Sequence, residues 1–381
     1  MAEYTVEPGD TLGKIARQFY GDPSHFLLIM TANQLSNPDD LPAGRKLVIP
    51  DLDTGQQPAG PDPPYGEIAD LLKTGQVVPF LGAGVNVGAR PGKVAWDEKT
   101  TSFLPTGAEL SRFLADKVSF PSKDTHDLCD LAKVSSYFVE ALGRPRVRER
   151  LRQVFDRPYA SCEIHKYLAA IKVPLLIVTT NYDDLMEQSL NEAGRVYDLV
   201  VHMTDRKDQD ASVLWWEHGD PEPKAVPPNE LEIDLTQRTV LYKMHGSIDR
   251  RAKRDSYVIT EDDYVDFLSR MTDKKAVPMR FMRHFRERQF LFLGYGLNDW
   301  NLRVILKYLK TTFPSGEAKI VTSVAPVPAA QLADDEGDPP SWAIQFAPSD
   351  LERELWGKRK VNIYDRDINQ FVRRLREKDS L

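Results

Sequence analysis

Four times along the chain a run of four or five mainly apolar residues ends abruptly in glycine or in a small polar cluster. Val77–Leu81 runs into Gly82-Ala83-Gly84, and Leu175–Thr179 into Thr180-Asn181-Tyr182-Asp183. Val240–Met244 runs into His245-Gly246-Ser247, and Phe290–Leu293 into Gly294-Tyr295-Gly296. Apolar runs of this length, bounded by turn residues, read as strands buried on both faces. With a further candidate at Lys319–Val324 they alternate with helical patterns, among them the stretch 107–155. That alternation predicts an α/β fold, a Rossmann-like parallel sheet with helices on both faces. In open α/β sheets ligands bind outside the carboxyl ends of the strands, where these clusters fall.

A smaller unit precedes this one. Tyr4–Val6 reads as a short strand, Pro8-Gly9 as a turn, and Asp10 as the cap of a helix beginning at Thr11, whose Leu12, Ile15, Ala16 and Phe19 follow helical spacing. That helix is expected to end at Gly21. A second is predicted from Ser24 to Asn33, with Phe26, Ile29 and Met30 inward, and a strand at Leu47–Ile49 closes a β-α-α-β unit. Residues 51–64 have the Pro- and Gly-rich composition of a linker. The expected organisation is a module at 1–50, a linker at 51–64 and a large domain at 65–381.

Composition narrows the function. A net charge of −7 argues against a global electrostatic grip on nucleic acid or on an anionic membrane. The two cysteines, Cys129 and Cys162, belong to no CxxC pair, so no zinc ribbon and no disulfide framework is expected. The N-terminus has no basic-then-apolar signal pattern, and apolar runs fall far short of the roughly 20 residues needed to span a bilayer. A cytoplasmic protein without membrane insertion is the expectation.

Each cluster can carry chemistry, and each has a plainer reading. Glycines after Leu81 let backbone amides approach a pyrophosphate, or make an ordinary tight turn. Asn181 can hydrogen-bond a ribose or a water, whereas Asp183 or Asp184 reads better as the cap of the next helix. His245 follows a buried strand and precedes a glycine that would let a ligand approach, a setting that suits a general base. His165, His202, His218 and His284 lack that setting and read as surface or packing residues. Asp299 reads equally as a helix cap or a ligand contact, followed by a helix with Leu302, Ile305 and Leu306 inward. Trp215 and Trp216 read as packing residues, and the acid- and proline-rich insertion Glu217–Glu232 has no assignment.

Two resemblances follow from these residues. YTVEPGDTLGKIARQFYGD, ANQL and LPAGRKLVIP, within residues 4–50, closely resemble the LysM module. That resemblance implies a site for peptidoglycan-type glycans; without a secretion signal, docking of a protein partner or activator is the preferred reading. VVPFLGAGVN, TTNYDDL, LYKMHGSID and FLGYGLNDWNLR, in this order, resemble the sirtuin-like domain over about residues 66–375, particularly the bacterial branch of immune and stress NADases. The resemblance implies NAD as substrate, with Gly82, Ala83 and Gly84 at the pyrophosphate. It puts Asn181 and His245 beside the nicotinamide ribose as catalytic residues, and Gly294 and Gly296 near the adenosine. It extends cofactor contact to Asn86, Thr180, Asp183, Tyr295 and Asp299, and makes Asn362, in Val361–Tyr364, part of a strand closing the adenine pocket.

The chain departs from the deacylase pattern in lacking the four-cysteine zinc module. The implied activity is therefore metal-free NAD hydrolysis to nicotinamide and ADP-ribose, in a homo-oligomeric effector of antiphage defence under control of assembly or a partner. A zinc-free deacylase or ADP-ribosyltransferase, and a non-catalytic NAD- or ADP-ribose-sensing scaffold, are the alternatives.

Overall fold

A computed structural model describes residues 2–20, 26–33, 35, 41–50, 61–90, 94–204, 213–249, 255–272, 276–296, 340–345 and 348–379. The strand expected at Lys319–Val324, the helix expected to bury Leu302, Ile305 and Leu306, and Asp299 lie outside these residues. None of the helices described is long and apolar enough to cross a membrane.

The N-terminal unit pairs β1 (Ala2–Thr5) antiparallel with β2 (Lys46–Ile49), Tyr4 opposite Leu47. Helices α1 (Leu12–Tyr20) and α2 (Phe26–Ala32) lie between them in sequence. Leu12, Ile15, Ala16 and Ile29 are buried with Leu47 and Ile49, as the helical spacing requires. The cap differs from expectation. The Thr11 hydroxyl, not Asp10, accepts the amide of Lys14 at 3.2 Å. Asp10 instead accepts the Glu7 amide and the Tyr4 hydroxyl, both at 2.8 Å, and that bond raises the Tyr4 phenol to about 12.

In the large unit the chain runs through α3 (Tyr65–Lys73), β3 (Val77–Leu81), α4 (Gly107–Val118), α5 (Thr125–Cys129), α6 (Leu131–Leu142), α7 (Arg144–Phe155) and α8 (Glu163–Ala170). It continues through β4 (Leu176–Thr179), α9 (Leu185–Glu192), β5 (Tyr197–His202), β6 (Val213–Trp216), β7 (Lys224–Val226), β8 (Thr239–Lys243), β9 (Gly246–Ser247) and β10 (Ser256–Tyr257). Next come α10 (Glu261–Thr272), α11 (Met279–Glu287), β11 (Gln289–Leu293), β12 (Ser341–Gln345), α12 (Asp350–Gly357), β13 (Val361–Asp365) and α13 (Ile368–Asp379).

Among the described residues nine strands form one sheet in the order β13-β12-β11-β3-β4-β8-β5-β6-β7. It is parallel from β13 to β5 and antiparallel through β6 and β7. From β3 the order runs to β4 and β8 on one side and to β11, β12 and β13 on the other, so the carboxyl ends of β3 and β11 mark the point where the strand order reverses.

Alternation within each strand divides two cores. Phe80, Val178, Tyr242 and Phe292 face Phe267, Phe281, Phe285 and Trp356. Ile177, Leu241 and Leu291 face Ile68, Leu168, Met186, Phe371 and Leu375. Each such side chain contributes about 1.5–3 kcal/mol by leaving water. A third core joins Leu114, Phe138, Leu151 and Val154 of α4, α6 and α7 to Tyr182, Ile248 and Ile259. Because Tyr182 and Ile248 follow the ends of β4 and β8, this helical layer covers the carboxyl edge of the sheet.

Candidate active site

Where β3 ends, the chain turns through Gly82 into a 3-10 helix at Ala83–Ala89. The Gly82 and Gly84 amides donate to the carbonyls of Leu293 and Gly294 at 3.0 and 2.9 Å. Gly294 has φ +66°, and a Cβ there would lie 2.2 Å from the Val85 nitrogen; a Cβ on Gly82 or Gly84 would lie 2.7 Å from the Gly294 carbonyl oxygen. The glycines are thus required by one another, as two turns packed back to back. The amides of Gly82 and Gly84, expected to face a pyrophosphate, are committed to that junction. Ala83 is exposed beside them.

The polar cluster after β4 is buried around this junction. Asn181, 8% exposed, donates from Nδ2 to the Gly82 carbonyl at 3.1 Å, and its amide donates to the Thr179 hydroxyl at 3.0 Å. The Thr180 and Tyr295 hydroxyls lie 2.5 Å apart, linking the turns after β4 and β11. Tyr295 in turn packs edge-on against Phe80, ring centroids 5.4 Å apart. Asp183 accepts Nδ2 of buried Asn86 at 2.9 Å and the amide of Leu185 at 3.1 Å, so it serves the first turn of α9 and the site together. Asp184 stands at the cap position without a capping bond and accepts Nε2 of Gln188 at 2.8 Å.

Thr179 is in register with Lys243, so Asn181 and His245 each follow the carboxyl end of one of two neighbouring strands, β4 and β8. The His245 ring sits edge-on to Tyr264 and Phe267, at 5.3 and 5.7 Å between centroids. Burial pushes its pKa down to about 3, which keeps the ring neutral and weakens it as a proton acceptor in the unliganded protein. His245 Nε2 and Asn86 Oδ1 are buried without hydrogen-bond partners. They are two of several buried polar atoms without partners among the described residues, and a bound polar ligand would satisfy them. Gly246 corrects the sequence reading. Its φ is +87°, and a Cβ would lie 2.1 Å from the Ser256 carbonyl oxygen, so it serves the β9–β10 pair, not ligand approach.

Two predicted positions are not brought to the others. Asn362 is exposed on β13, the outermost strand of the sheet among the described residues, in register through Trp342 and Leu291 with Pro79, two residues short of the β3 carboxyl end. Gly296 is exposed, with nothing within 4 Å of a Cβ.

Sequence reasoning missed Lys243. It is fully buried; Nζ donates to the Asp183 carbonyl and, at 2.8 Å, to Glu187 Oε1. Burial raises the Glu187 carboxyl, and Lys243 opposes that shift. The signal was a lysine inside an apolar strand. His202, read as surface or packing, is a packing residue: only 2% exposed, it stands edge-on to Phe267 at 4.9 Å, and burial and the nearby Arg270 push its pKa to about 3. Beside the site a cavity of about 610 Å³ is lined by Asp184, Glu187, Trp216, Ser247 and Asp249.

The SIR2-like domain family matches residues 175–364, and the LysM domain family matches residues 4–50. The NAD(+) hydrolase ThsA of Acinetobacter baumannii is 28% identical over 267 residues, 68% of this chain and 44% of that protein. Defense-associated sirtuin 2 of Bacillus subtilis is 20% identical over 245 residues, 64% of this chain and 20% of that protein. An uncharacterized protein of Deinococcus radiodurans is 51% identical over 47 residues, 12% of this chain and 19% of that protein. The chain spans less than half the length of each of these relatives.

Proposed function

Since the chain carries a SIR2-like domain behind an N-terminal LysM domain, we propose that it hydrolyses NAD to nicotinamide and ADP-ribose. The observation that carries this reading is the place of Asn181 and His245 just past the carboxyl ends of neighbouring strands β4 and β8, with His245 Nε2 and Asn86 Oδ1 buried and without hydrogen-bond partners. Loss of nicotinamide develops positive charge on the ribose, as in glycoside cleavage, so the site must orient the sugar and a water and accept a proton. In this mechanism Asn181 orients the ribose and the water. His245 takes the proton from the water or a ribose hydroxyl, a role that requires bound substrate to bring its pKa back up from the low value burial gives it. Asp183 holds Asn86 in place, and the junction of Gly82, Gly84 and Gly294 shapes the wall on which the dinucleotide lies.

The names of the ThsA proteins and of the defense-associated sirtuin support a role in defence by depletion of NAD. In this reading the chain acts as a homo-oligomer, and the LysM domain docks a protein partner in preference to a glycan. Nicotinamide release by the purified chain, with Asn181→Ala and His245→Ala alongside, tests the activity. Release abolished in both variants is expected; His245→Ala with undiminished turnover removes the proposed base. Deleting residues 1–60 should alter oligomeric state or activation, and a deletion variant indistinguishable from the full chain removes the docking role.

A further inference from the structure

Strand β8 carries a residue that its own pattern forbids. Leu241 points into the core shared with α8 and α9, and the two-residue period of a strand sends residue 243 to the same side, where an apolar side chain would serve packing. A fully buried lysine stands there instead. Desolvating its ammonium is costly, and a buried ion pair is commonly no better for stability than well-packed apolar residues of similar volume. The pair with Glu187 is therefore a weak reason, in stability alone, for a lysine at this position.

The second bond made by Lys243 supplies a stronger one. Nζ reaches the main-chain carbonyl of Asp183, in the turn that carries Asn181. Tyr182, one residue earlier, is tied to the other side: its carbonyl accepts the Ile248 amide at 2.9 Å, and its hydroxyl donates to the Val258 carbonyl at 2.7 Å. Lys243 thus fixes the point at which the turn passes into α9. The carboxylate of the same Asp183 holds Asn86, and His245 lies two residues past Lys243, the last residue of β8.

We propose that Lys243 is a positioning residue for NAD cleavage, a buried crossbar that sets the Asn181 turn and Asn86 against His245 by anchoring the Asp183 carbonyl. This inference rests on the NAD-cleavage reading, and Lys243 acts through Asp183 without touching substrate.

Three variants of the full chain separate positioning from stability. Lys243→Met leaves Glu187 buried and unpaired and lowers both Tm and kcat. The double variant Lys243→Met/Glu187→Met removes both charges and regains most of the lost Tm. Its kcat for nicotinamide release nevertheless stays down by roughly tenfold to a hundredfold, the effect of a misplacement near 1 Å, with KM for NAD little changed. Glu187→Gln keeps the anchor on Asp183 and retains kcat near the wild type. A double variant with wild-type kcat overturns the proposal, as does a Glu187→Gln variant as slow as Lys243→Met. If the wild-type chain releases no nicotinamide, the NAD-cleavage reading fails by itself. The anchor is then read by hydrogen exchange of amides 181–185 in the double variant: faster exchange supports it, and unchanged exchange overturns it.

Discussion

Replacing Gly294 by alanine isolates the contact on which the candidate site is built. Two penalties add. At φ +66° an alanine occupies the left-handed region, at about 1–2 kcal/mol. Its Cβ would lie 2.2 Å from the Val85 nitrogen, and reaching ordinary contact at 3.4 Å requires a shift of 3.4 − 2.2 = 1.2 Å. The atom in the way is backbone, held by the Gly82 carbonyl at 3.1 Å, so no side chain can rotate aside. Overpacking of this kind costs about 1–3 kcal/mol. Gly194 supplies the control, with φ +61° and nothing within 4 Å of a Cβ, so Gly194→Ala carries the first penalty alone. Urea unfolding followed by tryptophan fluorescence measures both variants. The six tryptophans lie at 96, 215, 216, 300, 342 and 356, so the signal reports the large unit and not residues 1–50. Gly294→Ala should lose about 2–5 kcal/mol in total, and Gly194→Ala about 1–2. Nicotinamide release by Gly294→Ala should fall about a hundredfold, since the turn beside Asn181 moves by about an ångström. Equal losses of stability in the two variants would refute the packing argument.

Acid should destabilise the fold well above the carboxylate range. Burial depresses His165 to about 4, and His202 and His245 to about 3, against an ordinary value of 6.5. The unfolded chain binds protons at these sites first, so their contribution is complete above about pH 6.5 and is lost as pH falls toward 4. At 1.36 kcal/mol per pH unit, each histidine withdraws on the order of 3 kcal/mol by pH 4, less than additively for His202 and His245, which flank the same Phe267. A urea midpoint that stays level between pH 7 and pH 4.5 would contradict this. Arg90 and Glu109, 8% and 9% exposed, form a bidentate pair whose arginine holds the Glu109 carboxyl below its ordinary value against burial. Arg90→Met should cost about 3–5 kcal/mol by urea unfolding, and Arg90→Met/Glu109→Met should recover only part of it, because Glu109 also accepts the amides of Trp96 and Thr106; a single-variant loss under 1 kcal/mol refutes the role. Thr106 and Glu109 form the capping box of α4, so Thr106→Ala should cost about 1 kcal/mol in the same assay.

What could be read from the sequence followed from burial on both faces. Val77–Leu81 matches β3 end to end, and the strands expected at 175, 240 and 290 differ from β4, β8 and β11 by a residue at their ends. The antiparallel edge was not legible. Tyr197, Asp198 and His202 mix polar with apolar residues, and β7 lies inside the proline-rich insertion, where composition speaks for a loop. Trp215 was correctly read as packing: it lies against the first core, and Lys224 stands over its ring at 5.0 Å. Site geometry escaped for another reason. Whether a glycine faces a ligand or a second turn depends on strand order, and no local pattern states that Gly84 meets Gly294. The same holds for Lys243, whose partners lie 60 and 56 positions away.

The pairing of β3 with β11 has a consequence for synthesis on the ribosome. Gln289 pairs with Val77, a separation of 289 − 77 = 212 residues, so the flank of β3 that β11 will occupy stays open while those residues are made. At about 5–20 residues per second that interval is about 10–40 s. Through it the nascent chain offers the edge of an apolar strand, a hazard that makes a holding chaperone useful. No product of premature termination before residue 294 can contain the junction of Gly82, Gly84 and Gly294, so a truncated chain is inert at this site by construction.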